Sequence, residues 1–599
     1  MGRSVTNDSP DRILPGVRDL LASSGPRRPP RWWIAALLCA SVLTAANASK
    51  PLVIDDPVYV TFARQIQEHP SDPYGFDLYW YDAPEPAMRF GTLPAVLPYW
   101  LAGAMTLFGD SPVAWKLSLL PFALALTGSL AFLLGRFARP FATPVLWTLA
   151  LGPSVLPGFN LMLDVPALAL GLLGFALFVR ACELERMSLA LGAGLVLGLA
   201  MQTKYSAVVY PALAVVYAAL YRRPREGAIA VLAAAVLFVG WEALLVARYG
   251  QSHFLAGIER LRSFDNLAEV SRANERMPGT SALYWSLSLL SLLGSTAPYA
   301  ALLALIGLGA RRLAVYSAAL VAALAFAAIP AFPWSPAFKP NSYFAALVAN
   351  NPELLLFVPL GVAVAGCVLV AMVRLLRAPN AMDPRPDRLL AAWLLLEIVG
   401  FFVISPYPAV RRVIGLGIAA TLLAARAASR RQGERDARAG VWVATAFGLA
   451  LGALYFSSDL ADALARRALI ERVAQRLSQL GVPAERASIW YSGHWEVQFY
   501  GEQAGWRPVI PGESQLRAGD WLVLPAGVIQ PRISYPPLFQ RVDTLTATSR
   551  MPWSTIPNYY SGLVPLRRQP VAQVIARLSR ATADINPQPV APAAPSAAR

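Results

Sequence analysis

Two adjacent carboxylates, Asp55 and Asp56, are the first residues in this sequence whose type and position could do chemistry. They lie a few residues after the first apolar run, Trp32 to Ala48, which places them just outside the hydrocarbon if that run crosses a membrane. A charge so close to a bilayer costs free energy unless it is used or paired, so both are candidate functional residues. The alternative is that they cap a short helix from Pro57, because Asp favours N-caps and Pro the first turn.

Three cations and a further carboxylate are predicted on the same side of the membrane as this pair. Lys204 lies in the turn between two short apolar runs, Arg411 and Arg412 precede another run, and Asp164 starts a fourth. Cations at these helix ends oppose the preference of basic residues for the cytoplasmic side, which indicates an anionic partner. The alternatives are that the cations extend to lipid headgroups and that Asp164 is an N-cap with Pro166 in the first turn.

The composition predicts a membrane protein around these residues. The chain has 599 residues, of which 56% are apolar and 15% charged, and its mean hydropathy is +0.46. Soluble domains carry about 25% charged residues, so a large soluble enzyme is excluded. The net charge of +16 does not indicate nucleic-acid binding, because the arginine clusters fall in alternate loops between apolar runs, as expected for residues that orient a protein in a bilayer.

The apolar runs and the arginine clusters together predict about thirteen transmembrane helices. The first run ends in Ala46-Asn47-Ala48, which resembles a signal-peptidase site, but its positive leader is long, so an uncleaved anchor with a cytoplasmic N-terminus is favoured. The clusters assigned to the cytoplasmic side include Arg136 with Arg139, Arg222-Arg223, Arg311-Arg312, Arg374 with Arg377, and Arg430-Arg431.

Composition divides the chain into four parts. The predicted parts are a disordered cytoplasmic tail (1–31), a transmembrane domain (32–456) whose residues 49–112 form a long outer loop with interfacial helices, a small extracytoplasmic α/β domain (457–585) and a disordered tail (586–599). In the α/β domain a polar helix over 460–480 is predicted to precede strand-like segments at 487–491, 497–500, 506–510 and 520–524.

Cysteine and histidine do not indicate a metal site or a disulfide. The three cysteines lie inside apolar runs, and the three histidines are far apart in the sequence. Asp55, Asp56 and Asp164 could supply oxygen ligands to a divalent ion, yet no other ligand is evident. We therefore predict a protein without a metal or other cofactor.

Four motifs occur in a recognisable order: Asp55-Asp56-Pro57-Val58-Tyr59, Pro98-Tyr99-Trp100 followed by Leu107-Phe108-Gly109, Met162-Leu163-Asp164-Val165-Pro166 and Gln202-Thr203-Lys204. Through these motifs, roughly residues 30 to 430 resemble glycosyltransferase family 39 of the membrane-embedded GT-C class, which includes protein O-mannosyltransferases and lipid A aminoarabinose transferases. The segment 493–505 also resembles the C-terminal outer domain of bacterial relatives.

The resemblance implies an inverting enzyme of the cell envelope. It would transfer a sugar from a polyprenyl-phosphate donor to a protein, lipid or glycan at the extracytoplasmic face of the plasma (inner) membrane, as in protein glycosylation. Asp55 matches the family's catalytic base and Asp56 the adjacent acidic position, while Lys204 and Arg411 match cations that would bind the donor phosphate. This suits the chemistry, because a hydroxyl nucleophile must lose a proton and the leaving phosphate gains charge.

The same resemblance implies further site residues. Tyr59 belongs to the first motif, and Arg412 stands where many relatives carry a tyrosine after the arginine. Arg89 is expected to replace a charged pair that several relatives place where this chain has Thr92-Leu93. Asp164 is expected to orient the sugar or to pair with a cation.

Two hypotheses from other classes compete with a transferase. A transporter or flippase for a lipid-linked or polysaccharide substrate would need charged residues deep inside the spans, and Glu242 and Glu397 are the main ones. A non-catalytic scaffold would use its outer domain to bind cell-wall or protein partners. It would be favoured if Asp55, Lys204 and Arg411 lay far apart.

Overall fold

A computed structural model of the chain describes residues 31–80, 82–90, 93–263, 280–309, 343–378, 383–431, 435–482, 489–528, 531, 533–568 and 573–589. The predicted span at 313–330, the N-terminal tail up to residue 30 and the tail from residue 590 lie outside the described residues.

Helices dominate the described residues up to Gln479. They are α1 (Arg31–Ala48), α2 (Asp56–Glu68), α3 (Val96–Phe108), α4 (Pro112–Leu117), α5 (Leu120–Phe137), α6 (Ala142–Leu151), α7 (Asp164–Leu184), α8 (Met187–Met201), α9 (Val209–Tyr221), α10 (Pro224–Tyr249), α11 (His253–Ser263), α12 (Thr280–Thr296), α13 (Pro298–Leu308), α14 (Tyr343–Asn350), α15 (Leu354–Arg377), α16 (Arg385–Ile404), α17 (Ile414–Ser429) and α18 (Arg435–Gln479). Short 3-10 helices at Ala87–Phe90, Arg139–Phe141, Tyr205–Val208 and Val410–Arg412 and a hairpin of β1 (Asp77–Tyr79) with β2 (Pro84–Pro86) lie between them.

The helical part is that of a multi-pass membrane protein. Within the described residues five helices are long and apolar enough to cross a bilayer, and α12 with α13, which meet at a 77° bend, would make a sixth. Large apolar side chains such as Leu232, Val239 and Val403 point outwards and are more than half exposed, as lipid contact requires. Several other apolar helices are shorter, so the total of about thirteen spans stays a prediction.

The boundary predicted at residue 457 falls inside a helix. The predicted span at 440–456 and the polar helix at 460–480 are one continuous helix, α18, of 45 residues. No proline interrupts it, so nothing in the local sequence stops the helix where its composition changes from apolar to polar.

A mixed sheet follows α18. The elements after α18 are β3 (Ile489–Tyr491), α19 (Glu496–Gln503), β4 (Arg507–Pro508), β5 (Trp521–Pro525), β6 (Ile533–Ser534), β7 (Phe539–Thr548), β8 (Trp553–Ser554), β9 (Arg567–Arg568), β10 (Gln573–Ala581) and β11 (Gln588–Pro589). The main sheet has the order β4-β3-β5-β10-β7, with β3 parallel to both of its neighbours and β10 antiparallel to both of its own. Leu469 and Val473 of α18 belong to one buried apolar cluster with Val523 and Leu578 of this sheet.

Two predictions for this region were wrong. Residues 497–500, predicted as strand-like, belong to helix α19, because the periodicity of four residues is too short to distinguish a strand from a helix. The tail predicted from residue 586 includes β11, which pairs with β6.

Candidate active site

Asp55 lies at the start of α2 with its side chain turned away from that helix. It occupies the N-cap position but makes no side-chain capping bond. Its Oδ2 instead accepts a hydrogen bond of 2.8 Å from Nη1 of Arg411. Ile54, just before it, has a φ of 52°, which is costly for a β-branched residue and changes the chain direction at this point. The capping alternative therefore does not describe the Asp55 side chain.

Four charged side chains form a continuous chain of ion pairs from here. Nη1 of Arg411 also lies 3.8 Å from Oδ2 of Asp164, and the other oxygen of Asp164 pairs with Nζ of Lys204. Asp164 is the first residue of α7, whose N-cap is Leu163, so its carboxylate serves the ion pairs instead of capping the helix. The structure thus brings Asp55, Arg411, Asp164 and Lys204 together from four distant segments.

A cavity adjoins these charges, between α7, α9, α16 and α17. One wall is polar, and Asp164, Lys204, Arg411 and Arg412 line it. The rest of the lining is mixed: it includes the apolar residues Leu168, Val209, Phe401, Ile404 and Ile414 and the polar residues Ser206, Glu397 and Ser405. Asp55 is not among the lining residues, but its carboxylate is 22% exposed and contacts Arg411, which does line the cavity. A ligand with an anionic head and an apolar tail suits such a lining.

The two arginines differ in how far they are already engaged. Arg411 pairs with Asp55 and donates to the hydroxyl of Tyr407. Arg412 makes no ion pair with any described carboxylate, and its guanidinium lies 5.1 Å from the centre of the Tyr407 ring. Nε of each arginine is buried and has no hydrogen-bond partner among the described residues. An unsatisfied buried donor costs about 1–3 kcal/mol, so an anion in the cavity would relieve that cost.

Glu242 anchors the turn that carries Lys204. Its Oε1 accepts hydrogen bonds from Nε2 of Gln202 and the hydroxyl of Tyr205, at 3.5 and 3.2 Å, on either side of the lysine. Its Oε2 accepts from Oγ of Ser252, at 2.7 Å, just before α11. Burial lowers the pKa of Lys204 to about 7, against the opposing effect of the Asp164 carboxylate.

The structure places Asp56 away from the cavity. Its side chain is fully buried, 3.7 Å from Nζ of Lys116, and its Oδ2 accepts a hydrogen bond of 3.2 Å from the backbone N–H of Val53. Burial raises the pKa of Asp56, while Lys116 and Lys50 oppose that change. Asp56 therefore stabilises the turn that presents Asp55, and the geometry does not support a catalytic role for it.

Tyr59 and Arg89, the other predicted substrate-binding residues, do not line the cavity. Tyr59 is buried one turn after Asp55, and burial raises its pKa, as do the nearby charges of Asp55 and Asp164. Arg89 is exposed in the 3-10 helix at Ala87–Phe90. The structure thus places Tyr59 beside the ion pairs and leaves Arg89 outside them.

Sequence reasoning missed several residues that support the site. Tyr407 lies in the Ser405-Pro406-Tyr407-Pro408 segment, where its position four residues before Arg411 was a usable signal. Lys50, Lys116 and Asp459 show no local pattern, because each is a single charge at the border of an apolar run. Among the described residues, no group of three or more His, Cys, Asp or Glu side chains is placed to hold a metal ion.

Comparison with known proteins returned solved structures only. No family profile and no curated protein matches the sequence. The oligosaccharyltransferase of Archaeoglobus fulgidus in its apo form matches with a TM-score of 0.43 and 12% identity, over 80% of this chain and 64% of that chain. The same enzyme, AglB, in complex with an inhibitory peptide and a dolichol-phosphate matches with a TM-score of 0.43 and 13% identity, over 80% of this chain and 64% of that chain. ArnT from Cupriavidus metallidurans bound to undecaprenyl phosphate matches with a TM-score of 0.34 and 14% identity, over 83% of this chain and 93% of that chain.

Both enzymes are GT-C glycosyltransferases, the class that the sequence resembles. This chain spans about two thirds of the length of the archaeal enzyme. Two structures that superpose with a TM-score below 0.5 share only part of a fold. The roles of individual residues are therefore argued from the geometry of this chain alone.

Proposed function

We propose that this chain is an inverting glycosyltransferase that moves a sugar from a polyprenyl-phosphate donor to an acceptor hydroxyl at the extracytoplasmic face of the plasma membrane. The observation that carries the proposal is the cavity in which the cations Lys204, Arg411 and Arg412, together with Asp164, lie beside apolar residues such as Phe401, Ile404 and Ile414. A lipid phosphate has the same division into an anionic head and an apolar chain. The family resemblance of the sequence supports the same donor.

Asp55 is the general base in this proposal. The acceptor oxygen attacks the anomeric carbon of the donor sugar, and its proton passes to the Asp55 carboxylate. The bond between that carbon and the phosphate oxygen breaks, and its electron pair stays on the phosphate. One displacement inverts the configuration of the anomeric carbon.

The leaving phosphate gains a negative charge in this step, and fixed cations stabilise it. We assign this role to Arg412 and Lys204, because Arg412 has an unsatisfied Nε and no ion pair with a described carboxylate, and both residues line the cavity. Arg411 is engaged with Asp55 and Asp164, so its first role is to orient the base. A guanidinium suits phosphate because it can donate two parallel hydrogen bonds.

The lipid chain would lie along the apolar lining between α7, α9, α16 and α17. Phe401, Ile404 and Ile414 face this part of the cavity. Glu397 also lines it, accepting a 3.1 Å hydrogen bond from the indole of Trp393 in the same helix. Glu242 bonds to the Lys204 turn, as described above, so both acidic residues have hydrogen-bond partners within the protein.

Binding of the lipid phosphate is the direct test. The full chain in nanodiscs would be titrated with undecaprenyl phosphate, and complexes counted by native mass spectrometry, with undecaprenol as the control that lacks the phosphate. We expect complexes with the phosphate only. Equal binding of both lipids would overturn the assignment of the cavity to a phosphate.

The transfer itself is tested in the cell that makes the protein. Mass spectrometry of envelope proteins, lipids and glycans would compare cells with the protein, without it and with Asp55→Asn. We expect one sugar modification to vanish in the last two. Unchanged modifications in cells without the protein would reject the transferase.

A further inference from the structure

The segment Ser554–Tyr560 of the C-terminal domain directly contacts the loops that lead to Asp164 and Arg411, and it reaches the turn that presents Asp55 through Asp459 of α18. We infer that this segment, called the docking segment below, is a positioning element of the active site. The effect of this segment on the reaction rate rests on the proposed function. Its effect on the positions of the loops rests only on the contacts described below.

The docking segment first binds to α18. Oδ1 of Asp459 accepts from Oγ1 of Thr555 at 2.8 Å, and Oδ2 accepts from the hydroxyl of Tyr560 at 2.9 Å. One turn on, Oδ2 of Asp462 accepts from Oγ of Ser554 at 2.8 Å and from the backbone N–H of Thr555 at 2.9 Å. These polar side chains are buried, so the bonds form away from competing water.

Asp459 links the docking segment to the turn that presents Asp55. Its Oδ2 is 2.7 Å from Nζ of Lys50, and both side chains are fully buried. The backbone carbonyl of Lys50 in turn accepts a 2.6 Å hydrogen bond from Nζ of Lys116, the partner of Asp56. A series of buried polar contacts therefore runs from the docking segment to the residues on either side of Asp55.

The second contact is with the segment that carries the arginines. The backbone N–H of Val410, the residue before Arg411, donates to the carbonyl of Tyr559 at 3.2 Å. This bond lies at the start of the 3-10 helix Val410–Arg412.

The third contact is with the loop that leads to Asp164. Nδ2 of Asn160 donates to the hydroxyl oxygen of Tyr560 at 2.9 Å, and the hydroxyl of Tyr559 donates to the carbonyl of Ser154 at 2.8 Å. The docking segment, together with Asp459 of α18, thus joins three loops that are distant in sequence. Its loss would let these loops move relative to one another.

A matched pair at Thr555 tests the inference. Thr555→Val removes the hydroxyl that bonds to Asp459 while keeping the shape, and Thr555→Ser keeps the hydroxyl. Tyr560→Phe removes a second bond to the same carboxylate. The control is Tyr491→Phe, because the Tyr491 hydroxyl is also buried in the C-terminal domain and bonds to a carboxylate, that of Glu502, at 2.9 Å.

Positioning predicts a specific kinetic result. A misplacement of about 1 Å costs about 100-fold in rate, so Thr555→Val and Tyr560→Phe should lower kcat by a factor of that order with little change in the acceptor KM. Thr555→Ser should restore kcat, and Tyr491→Phe should match the unmodified chain. Folded Thr555→Val and Tyr560→Phe proteins with normal kcat would overturn the inference.

Hydrogen exchange gives a readout that does not need the reaction. In Thr555→Val, backbone amides of the three loops, at 49–55, 154–163 and 409–412, should exchange faster than in Thr555→Ser or Tyr491→Phe. Unchanged exchange in all three loops would also overturn the inference. If the unmodified chain transfers no sugar, the proposed function fails, while the exchange data still decide whether the segment fixes these loops.

Discussion

Nη1 of Arg411 lies 2.8 Å from Oδ2 of Asp55, although the two residues are 356 positions apart in the chain. The same nitrogen is 3.8 Å from Asp164, so the Arg411 guanidinium contacts two carboxylates before any ligand enters the cavity. Its charge is largely balanced by these partners. The neighbouring Arg412 has no such partner among the described carboxylates, and the two arginines should therefore behave differently when mutated.

Asp55→Asn should nearly abolish transfer while donor binding persists. General-base catalysis contributes about 10²–10⁴-fold, so kcat should fall by that order, measured as release of polyprenyl phosphate. Asp110→Asn is the control, because Asp110 is an exposed carboxylate that pairs with Arg64 near the end of α3. Full transfer by a folded Asp55→Asn protein would exclude Asp55 as the base.

Arg412→Gln should weaken binding of the lipid phosphate. A hydrogen bond to a charged group contributes about 1.5–3 kcal/mol, which corresponds to a rise of about 10- to 100-fold in the Kd for undecaprenyl phosphate. Arg467→Gln serves as control, because Arg467 forms an exposed pair with Glu471 on α18.

Arg411→Gln should lower kcat by a larger factor than it raises the Kd for undecaprenyl phosphate. The reason is that the substitution removes the Arg411 guanidinium that orients the Asp55 carboxylate. A larger loss of phosphate binding in Arg411→Gln than in Arg412→Gln would reverse the proposed roles of the two arginines.

Binding of undecaprenyl phosphate should depend on pH through Lys204. Its pKa is lowered to about 7, so the ammonium is present below that pH and is lost as the pH rises through it. The contribution of Lys204 should therefore fall by up to about tenfold per pH unit above 7. Lys204→Arg stays charged and shows the titration of the lipid alone. Identical pH profiles for the two proteins, measured from pH 6 to 9, would contradict the role of Lys204.

Asp56→Ala should destabilise the protein without affecting a residue of the cavity. Removing one member of a buried ion pair costs about 3–5 kcal/mol, and Lys116 would lose its carboxylate partner. A thermal melt of the protein in nanodiscs should show a clear drop in Tm. If Asp56→Ala melts like the unmodified chain, the buried pair does not stabilise the turn before α2.

Transfer should continue in the presence of EDTA. In the proposed reaction Lys204 and Arg412, which both line the cavity, supply the positive charge that a divalent ion would otherwise bring to the leaving phosphate. The reaction rate with EDTA should equal the rate without it. Loss of activity that added Mg²⁺ or Mn²⁺ restores would show that the carboxylates bind a metal.

Membrane topology explains which site residues could be predicted from the sequence. The sequence groups Asp55, Asp164, Lys204 and the Arg411-Arg412 pair because it predicts their loops on one side of the bilayer, and all four loops meet at the ion pairs and the cavity. A predicted topology limits the candidate site residues to the few loops that lie on one side of the bilayer.

Side-chain direction could not be predicted in the same way. Successive residues of a helix are about 100° apart around its axis, so Asp55 faces Arg411 while Asp56 turns into the protein. Arg89 follows a hairpin whose register depends on the pairing of Leu78 with Glu85, which the sequence does not indicate. The pair of Lys50 with Asp459 joins residues 409 positions apart, and no local pattern relates them.

The unbroken helix α18 also sets a dimension of the molecule. At 1.5 Å per residue its 45 residues extend for roughly 68 Å, more than twice the thickness of about 30 Å of a hydrocarbon core. A rod of this kind cannot fold back as a flexible tether would. Since α18 packs against α6 and α13 at one end and against β7 and β10 at the other, a single rigid element fixes the spacing between the helical part and the C-terminal sheet.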